Sequence, residues 1–322
     1  VDMRATAIAQ PNIALIKYWG KRDAQRNLPA VGSISITLND LFTEMRVEFR
    51  SNLAADSLSI NGSADEAMLP RLSACLDLVA GEPRSRAGIV SRCNFPIAAG
   101  LASSASAFAA LTVAAAAASG KSLDAEALAN LAGRCSGSAA RSLYGGFVEL
   151  ESRDRDIAVR ALCGSDAWPL CVVVAVTETG PKAIGSTEAM EISRKTSPFY
   201  SSWVERQDED LNAARAAIKN RDFEQLAVVA EHNCLKMHSM MWASRPPTVF
   251  WNSVTMRCLE TIRMLQDDGV AVFFTIDAGP QVKAICLPEE TDNVRESLAS
   301  TEGVIDVMVT GLGEAARLLD VA

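Results

Sequence analysis

The stretch that decides the fold is NFPIAAGLASSASAFAALTVAAAAASG, residues 94–120, which contains no charged side chain. A membrane span usually carries Leu, Ile and Phe bulk with flanking anchor residues, whereas this run is mostly Ala and Ser. Ala-rich sequence favours a helix, and Gly120 provides a stop at its C-terminal end. We therefore predict a loop over 96–104 that leads into a helix over 104–118. Because that helix has no polar face, both of its sides must be packed.

The start of the predicted helix is a candidate site for an anion, because Gly100, Ser103, Ser104 and Ser106 surround it. Backbone N–H groups at a helix start lack partners within the helix and carry partial positive charge. A glycine lets a phosphate approach the backbone, and hydroxyl groups add donors or a metal ligand. The local pattern leaves a plain alternative equally open, in which a Ser caps the helix beside a small-residue packing seam. No G-K-[ST] follows, so the loop is not a Walker A motif.

The size and the charge of the chain indicate which kinds of molecule it can bind. It has 322 residues, 49% of them apolar and 22% charged, which suits one large domain or two of ordinary size. The formal net charge of -8 argues against a nucleic-acid partner, whose backbone needs a basic face. Any anionic ligand must therefore be met by a local basic cluster.

The cysteines point to a reducing compartment. There are eight of them, scattered without a C-x-x-C pair, and only two histidines. A structural zinc site needs closely spaced ligands, so we do not expect one. The first residues, VDMRATAIAQPN, contain no apolar segment of the kind found in signal peptides. These features predict reduced thiols in the cytoplasm and no membrane partner.

Two further blocks place a cation in unusual surroundings. In PNIALIKYWGKRD, residues 11–23, Lys17 interrupts an apolar strand, and a buried lysine needs an anionic partner. In SGSAARSLYGGFVE, residues 136–149, Arg141 lies among small residues, and Arg binds carboxylate or phosphate with two hydrogen bonds. Each block also has a structural interpretation, a solvated strand end for the first and an Arg that caps a helix for the second.

The block GVAVFFTIDAGPQVKAICLP, residues 269–288, predicts a hairpin. Two apolar, partly β-branched runs flank Asp277-Ala-Gly-Pro, which is a turn sequence. An Asp at a hairpin turn is most often structural, and the residues alone favour that interpretation.

Together these blocks resemble a known family. PIAAGLASSAS, residues 96–106, is similar to the phosphate loop of the GHMP kinase superfamily, P-x-x-x-G-L-x-S-S-A. With residues 11–23, 136–149 and 274–283 in the expected order, the chain resembles the mevalonate diphosphate decarboxylase family over nearly its whole length. The resemblance implies an α+β protein with the two-lobed GHMP kinase fold. It implies an N-terminal lobe over 1–182 and a ferredoxin-like C-terminal lobe over 183–322, with the site between them.

The resemblance also implies an activity. Members use ATP and Mg²⁺ to convert mevalonate 5-diphosphate into isopentenyl diphosphate, carbon dioxide, ADP and phosphate, and they are often homodimers. Three alternatives stay open. The protein could prefer the 5-monophosphate, it could be a mevalonate 3-kinase-type enzyme that stops after phosphorylation, or it could be a non-catalytic regulator that only binds nucleotide.

Roles for individual residues follow from the resemblance. Asp277 becomes the catalytic carboxylate that faces the substrate 3-hydroxyl, with Lys17 beside it and Arg141 at the carboxylate and diphosphate end of the substrate. The implied substrate-binding residues are Tyr18, Lys21, Ser138, Arg141, Lys182 and Ser186. The implied ATP-binding residues are Gly100, Ser103, Ser104 and Ser106, with Ser104 also a ligand for Mg²⁺.

The chain departs from the family pattern in four places. Val31-Gly32 stands where the family commonly has Asn-Ser, and Ile97 stands where Thr is usual. Gln281 replaces the usual Asn, and Gly185-Ser186 replaces a pair of serines. None of these changes removes the Asp, Lys or Arg. They leave open how the 5-phosphate end is held, and so whether the diphosphate or the monophosphate is preferred.

Hydrophobic patterns predict the remaining elements. We expect strands over 45–49, 88–93, 146–150 and 170–176, and helices over 123–135, 198–217, 223–240 and 249–268. A final helix is expected from Gly313. His238, which has no partner in the sequence pattern, is expected to be structural.

Overall fold

The computed structural model describes residues 3–95, 103–180 and 183–319. Its α-helices are α1 (Leu69–Ala80), α2 (Ser103–Ala118), α3 (Ala125–Cys135), α4 (Ser186–Thr196), α5 (Tyr200–Asn220), α6 (Phe223–Trp242), α7 (Ser253–Asp267) and α8 (Thr291–Ala299). Its strands are β1 (Arg4–Ala9), β2 (Asn12–Ile16), β3 (Lys21–Asp23), β4 (Leu28–Pro29), β5 (Ser33–Thr37), β6 (Thr43–Arg50), β7 (Ser57–Ile60), β8 (Ser63–Ala64), β9 (Arg86–Cys93), β10 (Phe147–Ser152), β11 (Ile157–Cys163), β12 (Cys171–Val176), β13 (Val272–Thr275), β14 (Val282–Cys286), β15 (Asp306–Gly311) and β16 (Arg317–Leu319).

Two larger sheets and a central helix form most of the N-terminal part of the protein, together with β16 from the C-terminal end, and β3 and β4 form a small two-stranded sheet. The first sheet has the strand order β16-β1-β6-β9-β7-β8, and the second has the order β11-β10-β5-β2. Helix α2 packs against β1 and β6, and its buried residues lie on all sides of the helix. The prediction of a helix packed on both sides is therefore confirmed. Its many alanines suit this position because small side chains let neighbouring elements approach closely.

The C-terminal part has the ferredoxin-like arrangement. Four strands form an antiparallel sheet in the order β13-β14-β12-β15. Helix α7 lies between β12 and β13 in the chain, and α8 lies between β14 and β15. The predicted α+β class with a ferredoxin-like C-terminal lobe is thus confirmed. Strand β12 belongs to this sheet although it precedes residue 182, and the division of the chain at that residue stays a prediction.

A shared hydrophobic core joins the two parts. Side chains of β2 and β5 pack with those of β12, β13, α5 and α6, among them Ile13, Leu15, Val172 and Phe273. This packing brings the end of β2 next to the turn between β13 and β14. The functional side chains predicted on those two segments therefore come together.

The predicted final helix from Gly313 is wrong. Residues 317–319 form β16, which pairs antiparallel with β1 and places Thr6 opposite Leu319. The sequence EAARLL has high intrinsic helix propensity, but without β16 the strand β1 would present an unpaired edge. Tertiary pairing therefore overrides the local preference. The other predicted helices and strands are confirmed to within four residues at each end.

Among the described residues, none of the helices combines the length and the apolar character that a membrane crossing requires.

Candidate active site

A cavity of about 700 Å³ opens where the end of β2, the start of α2, the segment before β10 and the turn after β13 meet. Among the described residues, five cationic side chains line it, together with one acidic side chain, Asp277. The cations are Lys17, Lys21, Arg71, Arg134 and Arg141. On a chain with a net charge of -8, this local excess of positive charge suits an anionic small molecule.

A carboxylate between two lysines forms the centre of the site. Lys17 Nζ lies 2.6 Å from Asp277 Oδ1, and Lys283 Nζ lies 3.4 Å from Asp277 Oδ2. The two lysine side chains are buried, whereas the side chain of Asp277 is 25% exposed. The carboxylate is therefore paired with two buried cations and still accessible from the cavity.

The charge state of Asp277 follows from these neighbours. Burial by itself raises the pKa of Asp277, but the ammonium groups of Lys17 and Lys283 hold the pKa well below its usual range. Asp277 is thus ionised at neutral pH. A carboxylate with such a low pKa is a weak base, so it takes a proton only from a hydroxyl that becomes acidic during the reaction.

Helices α5 and α6 fix the backbone at Lys17. Its N–H donates to Asn233 Oδ1 at 2.7 Å, and its carbonyl accepts a bond from Gln207 Nε2 at 2.8 Å. Asn233 in turn donates to Gln207 Oε1 at 3.0 Å and to Asp210 Oδ2 at 2.6 Å. Because these buried polar groups satisfy one another, they hold the end of β2 in one position.

Helix α6 also fixes the backbone next to Asp277. His238 Nε2 bonds to the carbonyl of Ile276 at 3.0 Å, and the N–H of Ile276 donates to Cys234 Sγ at 3.2 Å. Burial lowers the pKa of His238 to about 3, so the ring is neutral and Nε2 carries the proton that it donates. This geometry agrees with the expectation that His238 is structural. One helix face thus holds both halves of the Lys17–Asp277 pair.

Arg141 is buried at the wall of the cavity and is oriented by two side chains. Its Nη1 donates to Ser33 Oγ at 2.6 Å, and its Nε donates to Asn12 Oδ1 at 3.2 Å. Burial lowers the pKa of Arg141 to about 10, against the effects of Tyr18 and Asp277, so the guanidinium stays charged at neutral pH. Neither bond uses Nη2, which can therefore bind a carboxylate or phosphate oxygen.

Tyr18 supplies a neutral donor beside Arg141. Its ring packs on Gly137, where a Cβ would collide with it. Its hydroxyl is buried and has no hydrogen-bond partner within the described part of the chain. Burial raises the pKa of Tyr18 to about 12, although Arg141 opposes the shift. The hydroxyl therefore keeps its proton and can donate it to a ligand oxygen. Ser138 also lines the cavity here, and its carbonyl accepts a bond from Asn12.

Lys21 lies against the first turn of α4. Its Nζ is 3.4 Å from Thr187 Oγ1, and Ser186 and Thr187 both line the cavity. The unpaired N–H groups of a helix start add positive potential at this point. Burial and then Arg71 lower the pKa of Lys21. Two cations and a helix N-terminus at one end of the cavity together suit a phosphate group.

The predicted phosphate-loop serines point in different directions. Ser104, in the first turn of α2, lines the cavity. Ser103 begins the same helix, and its carbonyl accepts a bond from Ser106. Ser106 is fully buried, with its hydroxyl 2.8 Å from Thr43 Oγ1, so it faces the core. Of these serines, Ser104 is the one that the structure brings to the cavity.

Most of the predicted site residues line this single cavity. Those brought together are Asp277, Lys17, Arg141, Tyr18, Lys21, Ser138, Ser186 and Ser104. Gly100 and Lys182 lie outside the described residues.

Several residues of the site were not predicted from the sequence, among them Lys283, Asn12 and Arg71. Lys283 had a usable signal, because it interrupts the apolar strand β14 as Lys17 interrupts the region of β2. No sequence signal marked Asn12, which orients Arg141, or Arg71, which belongs to α1. Their places depend on contacts between segments that are distant in the sequence.

No group of three or more His, Cys, Asp or Glu side chains that could hold a metal ion occurs in residues 3–95, 103–180 and 183–319. A Mg²⁺ ion is commonly bound through substrate phosphates, water and one or two protein groups. The Ser104 hydroxyl at the cavity is a donor that fits this mode.

Comparison with known proteins matches both parts of the chain. A family model described as the diphosphomevalonate decarboxylase-like N-terminal domain matches residues 9–161, and one for the mevalonate 5-diphosphate decarboxylase C-terminal domain matches residues 172–310. Diphosphomevalonate decarboxylase from Candida albicans is 34% identical over 297 residues, which is 86% of this chain and 82% of that protein. The crystal structure of mevalonate diphosphate decarboxylase from Staphylococcus aureus is 34% identical over 98% of both chains, with a TM-score of 0.93. MDDEF in complex with MVAPP, AMPPCP and magnesium is 30% identical over 99% of both chains, with a TM-score of 0.91.

Proposed function

The chain belongs to the diphosphomevalonate decarboxylase family, and on that basis we propose that it converts mevalonate 5-diphosphate and ATP into isopentenyl diphosphate, carbon dioxide, ADP and phosphate. The observation that carries the proposal is the Lys17–Asp277–Lys283 cluster at a cavity lined by cationic side chains. A carboxylate repels an anionic ligand, so a site that only bound anions would be better without it. Its presence is explained by a substrate hydroxyl that must be oriented and deprotonated.

The first step is phosphoryl transfer to the tertiary 3-hydroxyl. The hydroxyl oxygen attacks the γ-phosphorus of ATP, the bond to ADP breaks, and the hydroxyl proton passes to Asp277. Because the transition state of phosphoryl transfer is loose, the hydroxyl becomes acidic late and a weak base is sufficient. Lys17, 2.6 Å from Asp277 Oδ1, places a buried positive charge beside the reacting oxygen atoms.

The second step is elimination with loss of carbon dioxide. The new phosphate group leaves with the electron pair of the C3–O bond, and the electron pair of the C1–C2 bond forms the C2=C3 double bond. Because its pKa is so low, Asp277 passes the proton on to a phosphate oxygen or to water, and its restored carboxylate stabilises the positive charge that develops at C3. Arg141 holds the substrate carboxylate in line with the breaking C3–O bond, which its fixed bonds to Asn12 and Ser33 allow it to do.

The 5-diphosphate is bound, in this proposal, where Lys21, Arg71 and the start of α4 meet. Two cations and a helix N-terminus match a group with two phosphates better than a group with one. The neutral Tyr18 hydroxyl, which lacks a partner among the described residues, donates to the same end of the substrate.

Ser104 borders the phosphates of ATP. Magnesium that arrives with the nucleotide neutralises phosphate charge, and Ser104 is the candidate ligand that this chain offers to it. The complex of the similar protein MDDEF with AMPPCP and magnesium supports the binding of a nucleotide together with Mg²⁺. Gly100, Ser103 and Lys182 remain predicted ligands, and the hydroxyl of Ser106 faces away from the cavity.

Turnover of two substrates separates the alternatives. Mevalonate 5-diphosphate should yield ADP and carbon dioxide in equal amounts. The 5-monophosphate should react roughly tenfold or more slowly, because lost bonds to a charged group are worth about 1.5–3 kcal/mol each. ADP without carbon dioxide would identify a kinase that stops after phosphorylation. Absence of both products would leave a regulator that binds nucleotide.

The proposal also includes the compartment in which the protein works. All eight cysteines are free thiols, which supports a reducing compartment such as the cytoplasm. The division into lobes at residue 182 and the homodimer remain predictions.

A further inference from the structure

Two cysteines from different helices meet at the edge of the cavity. Cys75 is a buried residue of α1, and Cys135 is the last residue of α3. Their sulfur atoms are 2.7 Å apart, and Cys135 lines the cavity. We propose that Cys75 and Cys135 are an oxidative modification site, which hydrogen peroxide converts into a disulfide bond in the wall of the cavity.

The surroundings direct the two thiols toward each other. Cys75 is only 2% exposed, so oxidants reach it through Cys135, which is half-buried and opens onto the cavity. The hydrogen bond with Cys75 and burial raise the pKa of the Cys135 thiol. A protonated thiol reacts slowly with peroxide, so the pair stays reduced during brief exposure to the oxidant and is oxidised only when exposure is prolonged.

The reaction balances with peroxide as the oxidant. The Cys135 sulfur attacks one peroxide oxygen, the O–O bond breaks and a water molecule leaves, which gives a sulfenic acid on Cys135. The Cys75 sulfur then attacks the Cys135 sulfur, the S–O bond breaks and a second water molecule leaves. Two thiols and one peroxide thus become one disulfide and two waters, and a dithiol reductant reverses the change.

The bridge would join the two segments that supply outer cations to the cavity. Arg71 lies one helical turn before Cys75 on α1, and Arg134 directly precedes Cys135. A covalent bond between these segments restricts how both arginines adjust to a ligand. We therefore expect turnover to fall roughly three- to tenfold on oxidation, since small misplacements in a site are costly. This effect on turnover rests on the proposed function, whereas formation of the bridge does not.

The test treats the whole protein with hydrogen peroxide, blocks the remaining thiols, and measures intact mass and linked peptides. The matched control is Cys171→Ser, because Cys171 is another half-buried cysteine that lies opposite a buried one, Cys286, on the neighbouring strand. Wild type and the control should lose two hydrogen atoms and give a peptide that links Cys75 to Cys135. Cys75→Ala and Cys135→Ser should not, and the turnover lost by oxidised wild type should return with dithiothreitol.

Two results would overturn the proposal. One is oxidation of other cysteines while the linked Cys75–Cys135 peptide stays absent. The other is the same loss of two hydrogen atoms in Cys135→Ser as in wild type. A reduced protein without any turnover would count against the proposed function instead, since the mass measurement does not depend on activity.

Discussion

Replacing Asp277 by Asn tests the charge cluster and the chemistry together. The change keeps the shape of the side chain and removes the negative charge that lies 2.6 Å from Lys17 and 3.4 Å from Lys283. Loss of one partner of a buried ion pair costs about 3–5 kcal/mol, because the other charge stays buried without compensation. The side chain of Asp277 is 25% exposed, so water relieves part of this cost. We expect the free energy of unfolding to fall by about 3 kcal/mol, at the low end of that range.

The same variant should lose catalysis by another route. Asp277→Asn removes the proton acceptor and the negative charge near C3, so kcat should fall by roughly two or more orders of magnitude. ATP affinity should change little. Urea unfolding measures the first effect, and production of ADP and carbon dioxide measures the second.

A double variant separates the two effects. Adding Lys17→Met to Asp277→Asn removes the buried cation that lies 2.6 Å from the lost carboxylate, so part of the lost stability should return while activity stays absent. Near-normal kcat in Asp277→Asn would refute the catalytic assignment. A double variant less stable than the single one would refute the argument from buried charge.

Four other substitutions test Arg141, the serines of α2 and His238. Arg141→Lys keeps the charge but loses the planar guanidinium, so substrate binding or turnover should weaken roughly tenfold or more while ATP affinity is retained. Equal kinetic constants in wild type and variant would show that Arg141 is only structural. Ser104→Ala should weaken Mg-ATP binding or slow phosphoryl transfer by about 1.5–3 kcal/mol. Ser106→Ala, which loses a hydrogen bond to Thr43 in the core, should lower stability and leave ATP kinetics intact. Impaired ATP kinetics in Ser106→Ala with normal kinetics in Ser104→Ala would contradict the geometry. Burial lowers the pKa of His238 to about 3 in the folded protein, against about 6.5 in the unfolded chain. The unfolded chain therefore binds more protons, and the free energy of unfolding should fall as pH falls from about 6.5 toward 3, by up to about 1.4 kcal/mol per pH unit. In urea unfolding, His238→Gln should depend less on pH than wild type, and an equal pH dependence would show that His238 is not its cause.

The sequence predicted most of the architecture because its strongest signals are local. The apolar run at 94–120 predicted a helix packed on both sides, and α2 is such a helix. Lys17 stood out because a charge interrupts an apolar strand, and its expected anionic partner proved to be Asp277. The role of Asp277 did not follow from its turn sequence, and it came only with the family resemblance.

The remaining features depend on contacts that a linear pattern does not contain. Strand β16 is specified by the edge of β1 rather than by its own residues. Arg71 and Asn12 reach the site through packing between distant elements. The direction of Ser106 was predictable, however. Residues two apart in a helix do not share a face, so a helix that turns Ser104 to the cavity turns Ser106 to the core.

In the proposed mechanism the 3-hydroxyl is phosphorylated at this site before carbon dioxide leaves. The most direct measurement follows mevalonate 5-diphosphate labelled with ¹⁸O in the 3-hydroxyl, with mass analysis of the inorganic phosphate released by the wild-type protein. If the hydroxyl oxygen attacks the γ-phosphorus and later departs with the phosphate, each phosphate released should carry one ¹⁸O atom and be matched by one carbon dioxide. Unlabelled phosphate, with the ¹⁸O recovered in water, would contradict the account.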